Sequence, residues 1–215
     1  IVPDQRGHGR SDKPHTPEQY GVQMVEDVVR LLDHLNIEKA HVVGYSMGGF
    51  ITLKLIAMHP ERLISAAPCG AGWELVTNEN MAFGEAVAKA IETRDGFGPL
   101  GKRLGLRDAP PTLLDKVIAV VALDVFNERL ALAAVMRGMH TLAVTQEELQ
   151  QNTVPVLTII GGSDGLLASA EALAAHMANH EMSVLDSKDH VTTPDCGEFM
   201  DELVPFLKKH TDAFR

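Results

Sequence analysis

The sequence has few of the residues that mark disulfide scaffolds, nucleic-acid-binding surfaces and membrane spans. It contains 2 cysteines, Cys69 and Cys196, without metal-site spacing, so we expect both to be reduced residues of the core or its edge. Lysine and arginine number 19 against 29 aspartates and glutamates, and the formal net charge of -10 disfavours nucleic acid or an anionic membrane as the main partner. No apolar run approaches the roughly 20 residues that a membrane-spanning helix needs.

Two other signals are missing. The glycines of Gly44–Gly49 are not followed by Gly-Lys-Ser/Thr, which argues against a phosphate-binding loop. No signal peptide is recognisable at the start, and we expect a cytoplasmic protein. The first residues, Ile1-Val2-Pro3, resemble the tail of a strand, so the chain is expected to begin within an element.

The chain instead carries an alternation of apolar strands and amphipathic helices. At 215 residues with 45% hydrophobic residues, it suits one globular domain with an insertion. The predicted strands are Ala40–Val43, Leu63–Ala67, Val154–Ile160 and Met182–Leu185. The predicted helices are Val22–His34, Ile51–Met58, Ala168–Met177 and a C-terminal helix that Pro205 should kink or shorten. This order predicts an α/β fold with a mostly parallel sheet covered on both faces, and a site beyond the carboxyl ends of its strands.

A change of character between Pro68 and about His140 predicts an inserted helical cap. This stretch is rich in alanine, methionine and glycine. Its helix-like runs are Glu85–Glu92, Leu113–Leu123 and Glu128–Met136. The predicted organisation is therefore a first core segment, a helical cap and a second core segment, at residues 1–72, 73–145 and 146–215.

The central motif is Gly44-Tyr45-Ser46-Met47-Gly48, between a predicted strand and a predicted helix. In G-x-S-x-G, small residues on each side of the serine allow a tight, strained turn that lifts the serine oxygen clear of the sheet. Gly44 and Gly48 occupy those places. The motif therefore predicts a nucleophilic serine at Ser46.

Two further polar residues, Asp164 and His190, lie in loops that follow predicted strands, as Ser46 does. A serine hydroxyl is a weak nucleophile and needs an adjacent base, which histidine supplies best near neutral pH. A carboxylate then orients the imidazole and stabilises the imidazolium. The three residues are therefore a candidate Ser-Asp-His triad, although Asp164 could instead be a loop or helix N-cap acid.

The remaining histidines have less specific interpretations. His8 is expected to be structural or to line a pocket. His176 and His180 have a spacing that could hold a metal ion, but no further ligand pattern supports one, and we expect neither metal nor cofactor. Asp189, beside His190, is expected to point elsewhere. Histidines on or beside predicted helices are expected to be solvated, and these are His34, His59, His176, His180 and His210.

Several motifs together resemble the α/β-hydrolase fold superfamily, specifically small esterase-like members with a helical cap. They span nearly the whole chain in family order: D-Q-R-G-H-G-R-S at Asp4–Ser11, G-Y-S-M-G-G at Gly44–Gly49, H-P-E-R-L at His59–Leu63, G-G-S-D at Gly161–Asp164 and K-D-H at Lys188–His190. The resemblance implies that Ser46 is the nucleophile, His190 the general base and Asp164 its orienting carboxylate. It also implies that the Met47 N–H is one oxyanion-hole donor.

The sequence departs from this family at its beginning. The second oxyanion donor of the family comes from a loop that would precede Ile1, and the resemblance implies that the chain lacks it. The same comparison implies that a strand is missing beside Ala40–Val43. We therefore expect an N-terminally truncated hydrolase whose exposed sheet edges could drive self-association.

The expected activity is hydrolysis of small-molecule carboxylic esters through an acyl-enzyme. The resemblance leaves alternatives open within the same fold, namely hydrolysis of a carbon–carbon bond, a thioester, a peptide or a lactone, and cofactor-free perhydrolysis. A different class also stays open, because an inactive fragment or a binding protein could have the same fold.

Overall fold

The structure is a computed structural model that describes residues 1–93, 95, 97–106 and 128–214. The helices in chain order are α1 (Val22–His34), α2 (Met47–Met58), α3 (Asn78–Glu92), α4 (Gly98–Arg103), α5 (Arg129–Gly138), α6 (Gln146–Gln150), α7 (Leu167–His176) and α8 (Gly197–Phe214). The strands are β1 (Ala40–Tyr45), β2 (Leu63–Cys69), β3 (Val156–Gly161) and β4 (His180–Leu185). The strands and helices predicted outside the cap are confirmed within a few residues, and the predicted helix at Leu113–Leu123 lies outside the described residues.

The four strands form one parallel sheet in the order β1-β2-β3-β4. A parallel pair needs a crossover connection, and α2 and α7 provide the crossovers from β1 to β2 and from β3 to β4. Because all four strands run in the same direction, their carboxyl ends lie on the same side of the sheet. The loops that carry the candidate triad residues begin at these strand ends.

The edge strand β1 is less covered than its sequence suggests. Its apolar character predicts a strand buried on both faces, but Val43 is 42% exposed whereas Ala66 and Ala67 of β2 are fully buried. Among the described strands, β1 pairs only with β2. The prediction that Ile1-Val2-Pro3 is the tail of a strand is wrong, since no described strand lies beside these residues to receive their backbone hydrogen bonds.

Two compact units divide the described residues. The first takes its residues from Ile1–Met24, Val76–Arg103 and Arg107–Thr141, and the second from Val25–Leu75, Leu104–Leu106 and Leu142–Arg215. The sheet and all three candidate triad residues belong to the second unit. The domain limits expected from the sequence remain a prediction.

The first unit contains α3 and α5, which overlap two of the three helix-like runs predicted for the cap. An apolar cluster joins α3 and α5, and its buried members are Val87, Ile91 and Leu132. At the rim of this cluster Arg137 binds the carboxylates of both Glu85 and Glu92, at 2.7 and 2.5 Å. Hydrogen bonds from Arg137 lower the pKa of both glutamates.

The Asp4–Ser11 loop, also in the first unit, is tied together by its own hydrogen bonds. The Asp4 carboxylate accepts from the Arg10 N–H at 3.0 Å, and the Asp4 carbonyl accepts from the Ser11 hydroxyl at 2.6 Å. Gly9 has a φ of 52°, and a Cβ there would lie 2.4 Å from the Asp4 carboxyl carbon. His8 is half-buried within this loop, in agreement with the structural role expected for it.

In the second unit, α8 covers one face of the sheet. The buried residues of this core are Ala67, Cys69, Leu157, Ile159, Leu185, Phe199, Leu203 and Phe206. Pro205 was expected to kink or shorten α8, but the helix continues through it to Phe214, so the expected shortening is wrong. Proline removes the hydrogen bond to the carbonyl four residues earlier, that of Asp201, and both residues are exposed, so water can satisfy that carbonyl.

Candidate active site

The turn between β1 and α2 holds Ser46 in a strained conformation. Its φ of 54° and ψ of -115° lie outside the regions that non-glycine residues usually adopt. The Ser46 N–H donates to the Cys69 carbonyl at 2.9 Å, which ties the turn to the end of β2. Such strain persists only where surrounding contacts enforce it, and here it projects the side chain beyond the sheet.

The glycines of this turn differ in what they are required for. A Cβ at Gly44 would lie 2.0 Å from the Gly48 carbonyl oxygen, so only glycine fits there. At Gly49, a Cβ would lie 2.6 Å from both the Ala71 Cβ and the Cys69 carbonyl oxygen. At Gly48, by contrast, a Cβ would meet nothing within 4 Å other than the backbone of its own helix and its chain neighbours. The sequence motif assigned the second small-residue position to Gly48, but the close approach occurs one residue later.

The structure brings Ser46, His190 and Asp164 together. His190 Nε2 lies 2.8 Å from Ser46 Oγ, and His190 Nδ1 lies 2.8 Å from Asp164 Oδ2. Since a carboxylate can only accept, Nδ1 carries the proton and the neutral ring leaves Nε2 free to accept from the serine hydroxyl. This hydrogen-bond chain is the arrangement that a general base needs.

Asp164 lies in the loop between β3 and α7, and its side chain is fully buried. Its second carboxylate oxygen, Oδ1, accepts from the Leu166 N–H at 2.9 Å. Asp164 therefore stabilises its own loop, as the alternative interpretation of this residue expected, while Oδ2 binds His190. The two carboxylate oxygens allow both roles at once.

The loop after β4 holds His190 through bonds made by its neighbours. The Asp189 carboxylate accepts from the Val191 and Thr192 N–H groups, at 3.0 and 2.8 Å. These bonds lower the pKa of Asp189, and the hydrogen bond from the Thr192 N–H has the largest effect. The prediction that Asp189 points away from the triad is confirmed, because its carboxylate closes the turn in which His190 sits.

Sequence reasoning missed Tyr45, the residue directly before Ser46. Its hydroxyl donates to the His190 carbonyl at 2.7 Å, and its ring centroid lies 5.3 Å from that of the imidazole. The sequence signal that could have identified Tyr45 is its position: it carries a hydroxyl at the end of a largely apolar strand, directly before Ser46. That signal is weak because the partner lies 145 residues away in the sequence.

The remaining histidines are not all solvated as predicted. His34 is exposed as predicted, and His59 is partly buried, with its ring 3.0 Å from a carboxylate oxygen of Glu26. His180 does not lie on a helix but begins β4, where its ring bonds to Thr158 at 3.0 Å, and burial lowers its pKa to about 4. His210 has a buried Nε2 with no hydrogen-bond partner in the described part of the chain, and its ring packs against Phe206. Contacts with residues distant in the sequence explain the corrections for His59 and His180.

The two histidines with metal-like spacing face different partners. His176 packs against the Trp73 ring with centroids 4.8 Å apart, whereas His180 binds Thr158. Because α7 ends at His176 and β4 begins at His180, the two side chains do not share one helix face. Within the ranges that the structure describes, no group of three or more His, Cys, Asp or Glu side chains could hold a metal ion.

Comparison with known proteins supports the fold seen in the structure. A family model described as the alpha/beta hydrolase fold matches residues 1–100. The solved structure of the enol-lactonase from Burkholderia xenovorans LB400 covers 95% of this chain and 78% of its own, with a TM-score of 0.68 and 24% identity. The chain has the α/β-hydrolase fold.

Two curated relatives of this α/β-hydrolase fold chain match along nearly its full length. The dihydrolipoyllysine-residue acetyltransferase component of the acetoin cleaving system of Pseudomonas putida is 29% identical over 98% of this chain, which spans 56% of that protein. The 3-oxoadipate enol-lactonase 2 of Acinetobacter baylyi is 27% identical over 97% of this chain and 78% of the relative. The chain thus spans only about half of the first relative and over three quarters of the second.

No helix among the described residues of this α/β-hydrolase fold protein is both long and apolar enough to cross a membrane. The longest described helix, α8, has 18 residues but carries charged and polar side chains along one side. Its apolar residues Phe199, Leu203 and Phe206 belong to the core of the second unit. The hydrophobic surface of α8 is therefore used for packing on the sheet.

Proposed function

We propose that this protein is a serine hydrolase that cleaves carboxylic esters of small molecules through an acyl-enzyme. The observation that carries the proposal is the hydrogen-bond chain from Ser46 through His190 to Asp164, with both distances at 2.8 Å. The three residues come from loops after β1, β4 and β3. No metal or cofactor is needed for this chemistry.

In the proposed reaction, Ser46 Oγ attacks the ester carbonyl carbon while His190 Nε2 takes the hydroxyl proton. The Asp164 carboxylate stabilises the imidazolium that forms. His190 then gives the proton to the departing alkoxide, which leaves as an alcohol and completes the acyl-enzyme. Water attacks the acyl carbon while His190 takes its proton, and the bond to Ser46 Oγ then breaks as His190 returns that proton to the serine and the acid is released.

The Met47 N–H is the proposed oxyanion donor. Met47 is the first residue of α2, and the first N–H groups of a helix have no partner within that helix. Such a group can donate to the oxygen that becomes negative in the tetrahedral intermediate, and the positive end of the helix dipole adds to this effect. The role belongs to the backbone, so it does not depend on the methionine side chain.

Cyclic esters are a specific case of this proposal. The enol-lactonases of Acinetobacter baylyi and Burkholderia xenovorans are named for the hydrolysis of a lactone, which is an internal ester. A 2-hydroxymuconate semialdehyde hydrolase from Pseudomonas putida, 25% identical over 99% of this chain, makes carbon–carbon bond hydrolysis the second candidate. Both reactions would use the same serine, so substrate assays have to separate them.

The deciding experiment is covalent labelling of the purified protein with a fluorophosphonate, followed by mass spectrometry of the modified peptide. We expect one phosphonyl group on Ser46 and none on the Ser46→Ala variant. Turnover of short acyl esters, lactones and dienone-type substrates would then assign the substrate class. A folded protein that remains unlabelled would refute the nucleophile and favour the binding-protein alternative.

A further inference from the structure

Tyr45 connects the candidate nucleophile to the candidate base by a short route. It is the last residue of β1 and is bonded covalently to Ser46, while its hydroxyl donates to the carbonyl oxygen of His190 at 2.7 Å. Through the sheet, by contrast, the path from Ser46 to His190 crosses from β1 through β2 and β3 to β4. A single hydrogen bond from Tyr45 thus connects the backbone of His190 directly to the turn that carries Ser46.

Packing fixes the Tyr45 ring as well as its hydroxyl. Tyr45 pairs with Cys69 in the register of β1 and β2, on the sheet face that α8 covers. Its ring makes an edge contact with Phe199, with centroids 6.2 Å apart, and a tilted contact with the imidazole. These contacts leave the phenol little freedom to move away from the His190 carbonyl.

Gly70 makes room for this ring. It has a φ of 55°, and a Cβ at this position would lie 2.6 Å from the ring carbon that bears the hydroxyl. Any side chain at position 70 would therefore push the phenol away from its partner. The close approach indicates that the ring position is defined from the β2 side as well as by α8.

The phenol is also kept in its donor form. Burial, and next the negative charge of Asp164, raise the pKa of Tyr45. A neutral hydroxyl can donate to a carbonyl oxygen, whereas a phenolate cannot. The carboxylate that binds the imidazole therefore also favours the protonated state of the residue that holds the backbone of the same histidine.

We propose that Tyr45 is a positioning residue, whose hydroxyl holds the His190 backbone so that the imidazole remains within reach of Ser46. The inference rests on the serine hydrolase function proposed above. Tyr45 acts through His190 and does not need to touch the substrate. Its removal should therefore lower the rate of the chemical step and leave substrate binding unchanged.

The chain offers a matched control in its other tyrosine. Tyr20 is buried in the first unit and also donates to a backbone carbonyl at 2.7 Å, that of Pro14. Burial raises its pKa to about 12, so its phenol is likewise neutral. Tyr20→Phe and Tyr45→Phe each remove a 2.7 Å hydrogen bond to a backbone carbonyl, but only the second bond involves the candidate triad.

The test measures fluorophosphonate labelling rates, kcat and KM on a short acyl ester, and Tm for the unchanged protein and both variants. We expect Tyr45→Phe to lower the labelling rate and kcat about fivefold to tenfold, the rate equivalent of one neutral hydrogen bond, with KM unchanged. Tyr20→Phe should lower Tm comparably but leave labelling and kcat at their original values.

Each other outcome has a defined meaning. Equal labelling of all three proteins would overturn the positioning role of Tyr45 while leaving the proposed function intact. Equal slowing in both variants would also overturn it, because the cause would then be a general loss of stability. Absence of labelling in the unchanged protein would refute the proposed function, and this inference with it.

Discussion

The second unit contains two histidine–serine pairs with nearly the same bond length and different surroundings. His190 Nε2 lies 2.8 Å from Ser46 Oγ at the carboxyl edge of the sheet. His41 Nδ1 lies 2.7 Å from Ser65 Oγ, between the first halves of β1 and β2. A short hydrogen bond between imidazole and hydroxyl therefore does not by itself identify a catalytic serine.

The difference lies in the second partner of each imidazole. In the first pair it is the carboxylate of Asp164, which can stabilise an imidazolium. In the second pair it is the hydroxyl of Thr211, at 2.8 Å from His41 Nε2. Thr211 donates its own proton to the Leu207 carbonyl, so it accepts from His41 and leaves Nδ1 to accept from Ser65. The hydrogen-bonded series Ser65–His41–Thr211 therefore contains no carboxylate that would favour proton transfer from the serine.

Access separates the pairs further. Ser65 lies within a strand and is 0% exposed, so no substrate carbonyl can reach its hydroxyl. Ser46 is partly exposed, in a strained turn at the start of a helix. The Ser65 pair satisfies buried polar groups and connects α8 to the sheet, whereas the Ser46 pair directs its groups outward. The same bond thus serves stability in one place and, on our proposal, chemistry in the other.

Alanine substitutions should separate the two serines most strongly. Ser46→Ala is expected to lower kcat about 10⁶-fold with little change in stability, because it removes the nucleophile. Ser65→Ala should leave kcat unchanged but lower the free energy of unfolding by about 1–3 kcal/mol, since His41 loses a buried partner. Ester turnover and urea denaturation of both variants provide the measurements. Similar activity losses in the two variants would contradict the distinction.

The second partners of the histidines can be compared in the same way. Asp164→Asn is expected to lower kcat about 10⁴-fold, because an amide cannot stabilise the imidazolium and favours the wrong tautomer. Thr211→Val, the matched change at His41, should alter stability only. Steady-state kinetics with thermal melts would measure both effects. Full activity of Asp164→Asn would show that this carboxylate serves only its own loop.

Ser46 lies in a strained turn whereas Ser65 does not. Substitutions of the glycines in this turn should therefore differ in their effect on stability. Gly44→Ala should destabilise the fold by about 3 kcal/mol or more, because its Cβ would overlap the Gly48 carbonyl oxygen. Gly48→Ala should change stability by about 1 kcal/mol or less, in the stabilising direction, because the site is open and helical. Urea denaturation would measure both. Strong destabilisation by Gly48→Ala would contradict the steric assignment.

The strand pattern and the motif spacing predicted most of the fold and the three triad candidates. Apolar runs that end in glycine-containing loops report local structure directly, so β1 to β4 and the positions of Ser46, Asp164 and His190 could be read from the sequence. Contacts between distant residues could not. The Tyr45–His190 bond and the burial of His180 depend on strand register and helix packing, which no local pattern encodes.

The predicted strand at Ile1-Val2-Pro3 and the requirement for glycine at Gly48 show the opposite limit. In the first case an apolar tripeptide resembled a strand, but strand structure also requires a neighbouring strand. In the second case a five-residue motif named the position, but the close approach of Ala71 and the Cys69 carbonyl occurs at Gly49. In both cases the outcome depends on contacts with other residues, which the local pattern does not contain.

Two partly buried histidines outside the triad, His41 and His180, make the stability of the protein depend on pH. Burial lowers the pKa of His180 from 6.5 to about 4, and burial followed by the charge of His210 lowers that of His41. The unfolded chain therefore binds more protons than the folded chain below about pH 6.5. The stability that these two histidines contribute is fully present above that pH, and it is lost as the pH falls toward their folded-state pKa values.

The smallest predicted effect is the removal of this acid sensitivity at a single site. Between pH 7 and pH 4, His180 should account for a loss of up to about 3 kcal/mol in the free energy of unfolding. His180→Gln keeps a donor for Thr158 but cannot titrate, so its stability should fall less over that range. Urea denaturation at several pH values measures the difference, and His34→Gln, at an exposed histidine, is the control. Parallel pH profiles for the unchanged protein and His180→Gln would show that His180 does not control the acid stability of the fold.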